Sequence, residues 1–279
     1  MRRGGFVLVA VIACNSMPAQ EYNLRRLFHA DELCTYEMQV EASLSIRSDE
    51  LRFDKAAYTT TARLKTAGIR EGVATQYLSF QQDPTVVTAP RIGLAAARLP
   101  ELIVGAKVQN AGVVSWETKA GTYKGPLPWH AQSFVPTEWA PPLPSRLLPM
   151  AATYDAELVF SLAAYLPEPG WPTELRVPVT VTFLGSAGPR DAMCFRLSRK
   201  GALAVNAVSD DKRGEVRGSL NALGSWSLDA ATGRLVECDL TWLIRLEVTA
   251  PATLGGPRAV DAMVQLKAKL LGVGSVRDR

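Results

Sequence analysis

Two histidines, His29 and His130, and four cysteines, Cys14, Cys34, Cys194 and Cys238, bound the chemistry open to this chain. Two imidazoles cannot build a three-histidine metal site, and any Ser-His or Cys-His nucleophile has to use one of them. His29 precedes Asp31 and Glu32, and His130 lies in a proline-rich stretch. The chain contains no Gly-x-Ser-x-Gly elbow, no His-Glu-x-x-His, no phosphate-cradling glycine loop with lysine and no Cys-x-x-Cys. Any two acids can meet in space as a glycosidase pair. The adjacent pair Asp210-Asp211, however, precedes Lys212-Arg213-Gly214 and reads as a solvated hairpin tip. The expectation is a non-catalytic protein with no metal and no cofactor.

The six tryptophans divide by context. Trp116, Trp226 and Trp242 fall in strand-like runs, where a ring packs into a core. Trp129, Trp139 and Trp171 fall in proline-rich loops, where an exposed ring could stack on a sugar or cap an apolar groove. Packing is the commoner fate of a tryptophan. Trp129, Trp139 and His130 are therefore binding candidates, with no catalytic residue assigned.

The elements that must position these residues announce themselves by alternation. Tyr36, Met38, Val40, Ala42, Leu44 and Ile46 face one way, with Glu37, Gln39, Glu41, Ser43 and Ser45 opposite. The same period of two runs through Val236–Val248 and Val260–Leu270. One dry face and one wet face is the mark of an antiparallel sheet. Further strands are predicted at 50–54, 58–66, 73–80, 102–108, 112–118, 154–164, 176–184, 192–198, 202–208 and 215–220. Helix is plausible only at about 20–33 and 91–99. The fold class is all-β and mainly antiparallel: two packed curved β-sheet units, as a sandwich or partial barrel, with few short helices.

Residues 125–150 stand apart. Seven of the 18 prolines fall there, too many for ladder pairing. Its tryptophans and leucines would be out of place in a solvated linker, which favours a packed crossover between a β unit at 34–124 and another at 150–272.

The N-terminus reads as an export signal at 1–19. Met1-Arg2-Arg3 precedes the apolar run Gly4–Ala13, too short to span a bilayer as an anchor. Cleavage after Ala19 would release a soluble chain. Alternatively, Val11-Ile12-Ala13-Cys14 is similar to a lipobox, and acylation of Cys14 would tether the protein to a membrane. Either route removes Arg2 and Arg3 and lowers the formal charge from +4 to about +2, too little and too diffuse for nucleic acid. In an oxidising compartment Cys194 and Cys238 are the better disulfide pair, and three small buried hydrophobes are the alternative.

The stretch Gly224–Cys238, with its Asp-x-x-Thr-Gly-Arg-Leu turn, resembles the C-terminal hairpin of exported bacterial β-rich envelope proteins of unknown function. The order of Val177–Gly185 and Cys194–Leu197 before it is similar. The resemblance implies a periplasmic or secreted cell-envelope protein, lipid-anchored if Cys14 is acylated, with no catalytic residues to carry over. The functional expectation is binding of an apolar ligand or an envelope partner through β-sheet surfaces, in a concave pocket lined by Tyr36, Met38 and Trp242. The alternative is an enzyme or binding module acting on envelope glycans, with two acids, or His130 and an acid, meeting beside Trp129 or Trp139.

Overall fold

The computed structural model describes residues 20–49, 51–80, 85–86, 102–120, 136–188 and 193–275. Fourteen strands form two sheets in these regions. The first six are β1 (Glu21–Tyr22), β2 (Glu32–Arg47), β3 (Leu51–Arg70), β4 (Val73–Phe80), β5 (Thr85–Val86) and β6 (Leu102–Gln109). They are followed by β7 (Gly112–Ala120), the one-turn helix α1 (Pro136–Trp139), β8 (Leu148–Pro149) and β9 (Thr153–Ser161). The chain ends in β10 (Glu174–Ala187), β11 (Cys194–Val208), β12 (Glu215–Asp229), β13 (Leu235–Thr249) and β14 (Arg258–Ser275).

The main sheet is a curled half-barrel of eleven strands in the order β7-β6-β4-β3-β2-β14-β13-β12-β11-β10-β9. All its pairings are antiparallel, and β5 adds to β3. The expected all-β antiparallel class is therefore observed, in partial-barrel form. The two halves of the sequence meet where β14 returns to β2, with Leu266 opposite Val40 and Val264 opposite Ala42. The second sheet is the small pair β1–β8.

Several strands read separately from the sequence are single long ones. The expected strands at 192–198 and 202–208 are both β11, because Gly201 continues the ladder opposite Ala222 and lies against Val179 of the next strand. The runs at 50–54 and 58–66 are likewise both β3. The helix expected at 20–33 is replaced by an extended run. Tyr22 pairs with Leu148, and Leu27 N donates to Thr232 O at 2.8 Å. Its apolar spacing came from residues anchoring a strap rather than lining a helix face: Leu24 is buried, and Tyr22 packs its ring edge-on to Phe183 and Phe195. The helix expected at 91–99 lies outside the described residues, as does the leader at 1–19.

The core occupies the concave side. The inward residues of β2, β13 and β14 are buried in the alternation the sequence predicts, Trp242 and Tyr36 among them. Val40 and Leu266 belong to this layer, at the seam between the halves. Truncating Leu266 to alanine should lower the unfolding free energy by about 2–5 kcal/mol, read as a shifted urea midpoint with unchanged slope. A change below about 1 kcal/mol would mean that the seam is not part of the cooperative core.

Candidate functional site

Topology places the site. The strand before the crossover, β7, is one edge of the half-barrel, and the strand after it, β9, is the other. Ten inter-strand gaps of ~4.8 Å separate them, on the order of 48 Å along the sheet. The described part of the connection, from Pro136, lies on the concave face and supplies the filling. Trp139, Leu143 and Leu148 from the crossover, with Leu162, Tyr165, Leu166 and Trp171 from the segment after β9, all join the main core. Trp139 packs edge-on to Tyr36, with ring centres 5.3 Å apart.

One polar cluster interrupts this apolar interior. Glu138 of α1 and Arg199 of β11 form an ion pair at 2.6 Å, with side-chain exposures of 1% and 0%. Arg199 occupies an inward position, two residues from Leu197 and two from Gly201. Its guanidinium carbon lies 5.1 Å from the ring of Trp226 and 5.3 Å from that of Trp242. This is cation–π geometry in a dry setting, where such contacts are strongest. The indole N–H groups turn toward the acid: Trp242 Nε1 donates to Glu138 Oε1 at 3.1 Å, and Trp226 Nε1 to the Glu138 carbonyl at 2.9 Å. Arg199 Nε donates to Leu223 O at 3.2 Å. Arg199 Nη2 is buried with no hydrogen-bond partner among the described residues.

Gly224 makes this arrangement possible. It lies opposite Arg199 in register with φ +130°, and a Cβ there would come within 2.2 Å of Asp239 O. No side chain fits at that point, so the floor beneath the guanidinium is bare backbone.

Burial raises the pKa of Glu138 above its ordinary value of 4.5, outweighing the opposing effects of the Arg199 charge and the donated hydrogen bonds. The nearby Cys238 thiol is also raised, chiefly by burial and then by the Glu138 charge.

A second polar group rims the same face. Arg234, just ahead of β13, pairs with Glu32 of β2, beside Cys34, whose thiol is pushed up to about 12 by burial and by Glu32. Tyr36 donates to Leu235 O at 3.1 Å. The Arg26 guanidinium donates to the carbonyls of Pro141, Gln109 and Asn110, tying the N-terminal strap to the crossover. Burial lowers its pKa to about 10. Between these groups and Trp139 remains a void of only about 40 Å³, and one of about 10 Å³ lies between Trp139 and Leu78, Val104 and Val108. A drug-sized ligand pocket occupies ~300–1,000 Å³. The concave pocket expected from Tyr36, Met38 and Trp242 has its lining, but the chain itself fills it.

The residues singled out from sequence fare unequally. Trp139 and Trp171 are 4% and 6% exposed and cannot stack on an external sugar, a correction to Trp139 as an exposed binding residue. The crossover had to cover the concave face, and the ring went with it. Trp129, His130 and Cys14 lie outside the described residues. His29 is exposed. Cys194 and Cys238 do not bridge, because β12 runs between their strands. Two strand spacings plus an offset of three residues put their Cα atoms on the order of 14 Å apart, beyond the ~7 Å limit. Asp211 sits at the expected hairpin tip, where Ser209 and Arg213 hold its carboxyl down at about 2. Beside Trp139 the acid is Glu138, and its partner is an arginine rather than a second carboxylate. No cluster of three or more His, Cys, Asp or Glu among the described residues could hold a metal.

Sequence reasoning missed Glu138 and Arg199. Arg199 left a trace, as a charge at an inward position of Phe195-x-Leu197-x-Arg199-x-Gly201. Glu138 left none.

No family model matches the chain, and neither does any curated protein. Among solved structures, a DUF1329 family protein from Desulfovibrio piger ATCC 29098 is similar over 88% of this chain and 86% of its own. Its identity is 9% and its TM-score 0.15. No helix in the described regions is long and apolar enough to cross a membrane.

Removing one partner of a buried pair strands the other. Glu138→Ala should cost about 3–5 kcal/mol, whereas joint replacement by Glu138→Leu and Arg199→Met should be near neutral or stabilising. The raised pKa sets the sign with pH. The stability gained from protonating Glu138 is fully present below about 4.5 and lost as pH rises through its folded-state pKa. Urea midpoints of the wild type should thus fall, relative to Glu138→Gln, as pH rises from about 4 to 8. A rising difference would show that pairing, not burial, dominates the group.

Proposed function

We propose that this chain is an exported cell-envelope protein that binds an apolar ligand on the concave face of its half-barrel, without catalysing a reaction. One observation carries the reading. The cover of that face is a crossover whose backbone between residues 140 and 147 enters no strand, laid on a wall made of strands. The wall is continuous and hydrogen-bonded. Ahead of β8, which pairs with β1, the cover is held by side-chain contacts: the Glu138–Arg199 pair, the Trp139–Tyr36 contact, Arg26 to Pro141, and Tyr154 OH to Pro142 O at 2.9 Å. Local opening draws on segments with few backbone hydrogen bonds of their own. The crossover is the segment a ligand would displace.

Export is supported by the basic start and apolar run at 1–13, and an envelope location by the resemblance at Gly224–Cys238. Acylation at Cys14 would place the half-barrel beside a membrane, a source of apolar ligand. The glycan alternative loses its footing at Trp139 and Trp171, both in the core.

A second reading, docking of an envelope protein, is favoured by the outer face. Leu243 and Met263 are cross-strand neighbours and half-exposed, and with Phe53 they border a shallow depression of about 360 Å³. Exposed apolar rows of this kind mark interaction surfaces.

Protein purified from the envelope without detergent should carry an amphiphile in native mass spectra, and its mature N-terminus should be acylated Cys14 or Gln20. An unprocessed Met1 end would sink the export proposal. A bare mass under conditions that preserve lipid complexes would favour the outer-face reading.

A further inference from the structure

The crossover places a carboxylate in the wall of an apolar bowl, and this identifies the class of ligand that would take its place. We infer that Arg199 is the head-group site for an amphiphile bearing a single carboxylate, and that Glu138 is a resident stand-in for that head group. The inference rests on the concave-face reading above.

Three features support it. First, the receptor is built into the wall and the occupant into the cover. Arg199, Trp226 and Trp242 lie on adjacent strands β11, β12 and β13, whose ladders to one another involve no crossover residue. Glu138 reaches them from a helix of four residues, too short to be stable alone. Second, the guanidinium is under-used. Nη1 bonds Glu138 Oε2 and Nε bonds Leu223 O, while buried Nη2 has no partner among the described residues. Planar guanidinium favours bidentate carboxylate recognition, and Glu138 takes only one of its nitrogens. A free carboxylate, not constrained by the α1 backbone, can engage Nη1 and Nη2 together. The indole N–H of Trp242, now held by Glu138 Oε1, offers it a third donor. Third, the surroundings suit a tail. Next to this cluster run the rings of Trp242, Phe160 and Tyr165, with Trp242–Phe160 centres at 5.3 Å and Phe160–Tyr165 stacked at 5.5 Å. A cation inside an aromatic wall, continuing into stacked rings, fits an anionic head followed by hydrocarbon. It does not fit a cationic or neutral sugar-like ligand, which would leave the arginine without a counter-charge.

The same contact is autoinhibitory. While Glu138 holds Arg199, the head-group site is shut, and a ligand must outcompete an intramolecular carboxylate at high effective concentration.

The test uses the mature chain and four twelve-carbon probes of matched tail: dodecanoate, dodecyl phosphate, 1-dodecanol and dodecylammonium, titrated by calorimetry below their micellar concentrations. Glu138→Gln, which keeps the shape and removes the competing charge, should bind dodecanoate about tenfold more tightly than wild type. Adding Arg199→Met to Glu138→Gln leaves no unpaired buried charge. It should weaken dodecanoate by about tenfold or more and leave dodecanol within about twofold. Near-ultraviolet circular dichroism checks that each variant is folded. Equal binding of dodecanoate and dodecanol, or equal loss of both with Arg199→Met, would overturn the head-group assignment and leave the concave-face reading standing. Preference for dodecyl phosphate would overturn the choice of carboxylate. If no probe binds any folded variant, the concave-face reading falls and the head-group site with it.

Discussion

The path of one connection governs this molecule. A chain that leaves one edge of a curled antiparallel sheet and re-enters at the other must cross the sheet, and the concave side holds the apolar surface. Everything unusual in residues 125–150 follows. Between 140 and 147, where Pro141, Pro142 and Pro144 lie, the segment joins no ladder, and it pairs only at β8, with β1. Trp139, Leu143 and Leu148 supply the apolar contacts that a second sheet supplies in a sandwich. Where a β-sandwich is closed by hydrogen-bonded strands, this half-barrel is closed by side chains on a coil.

The wall owes its continuity to a second constraint. The last long strand, β14, returns to the first, β2, so the two sequence halves share one ladder instead of folding as separate units. Non-local pairing of this kind carries a large loop-closure cost and has to be specified by pattern. The strict alternation in β2, β13 and β14 provides that, since a slip by one residue would turn every apolar side chain outward. Polar residues on the outer face reinforce it: Asp239 lies across from Lys267, with Gln265 Nε2 donating to Asp239 Oδ1 at 2.9 Å.

The parts of the structure visible in the sequence are those governed by short-range repetition. Alternation reveals the strands, and the Asp229–Leu235 hairpin reveals its turn. There Asp229 Oδ1 accepts from Thr232 N at 2.7 Å, and Gly233 adopts φ +68°. A Cβ on Gly233 would come within 2.2 Å of Arg25 O, so its glycine also serves the N-terminal strap, a long-range demand that the turn motif alone does not disclose. The separate strands expected at 192–198 and 202–208 are one, because Gly201 continues the β11 ladder. The strap at 20–33 was misread because buried anchors on an extended segment can mimic helical spacing. The Cys194–Cys238 pairing failed on strand order, which composition cannot supply. Glu138 was invisible because its partner lies 61 residues away on another element.

What sets this interior apart from an ordinary packed core is the cost of its charges. An interior meant only to be stable gains nothing from an arginine and a glutamate, because well-packed apolar residues of similar volume hold a fold as well or better. A buried pair is best justified by specificity, as a device that admits one partner and rejects others. In this protein the pair joins strand β11 of the wall to α1 of the crossover. The aromatic rings around Arg199 and the bare backbone at Gly224 shape the wall for a cation and its counter-ion. The acid that answers it comes from the crossover, whose backbone between 140 and 147 enters no strand. No ladder of the main sheet runs through that contact.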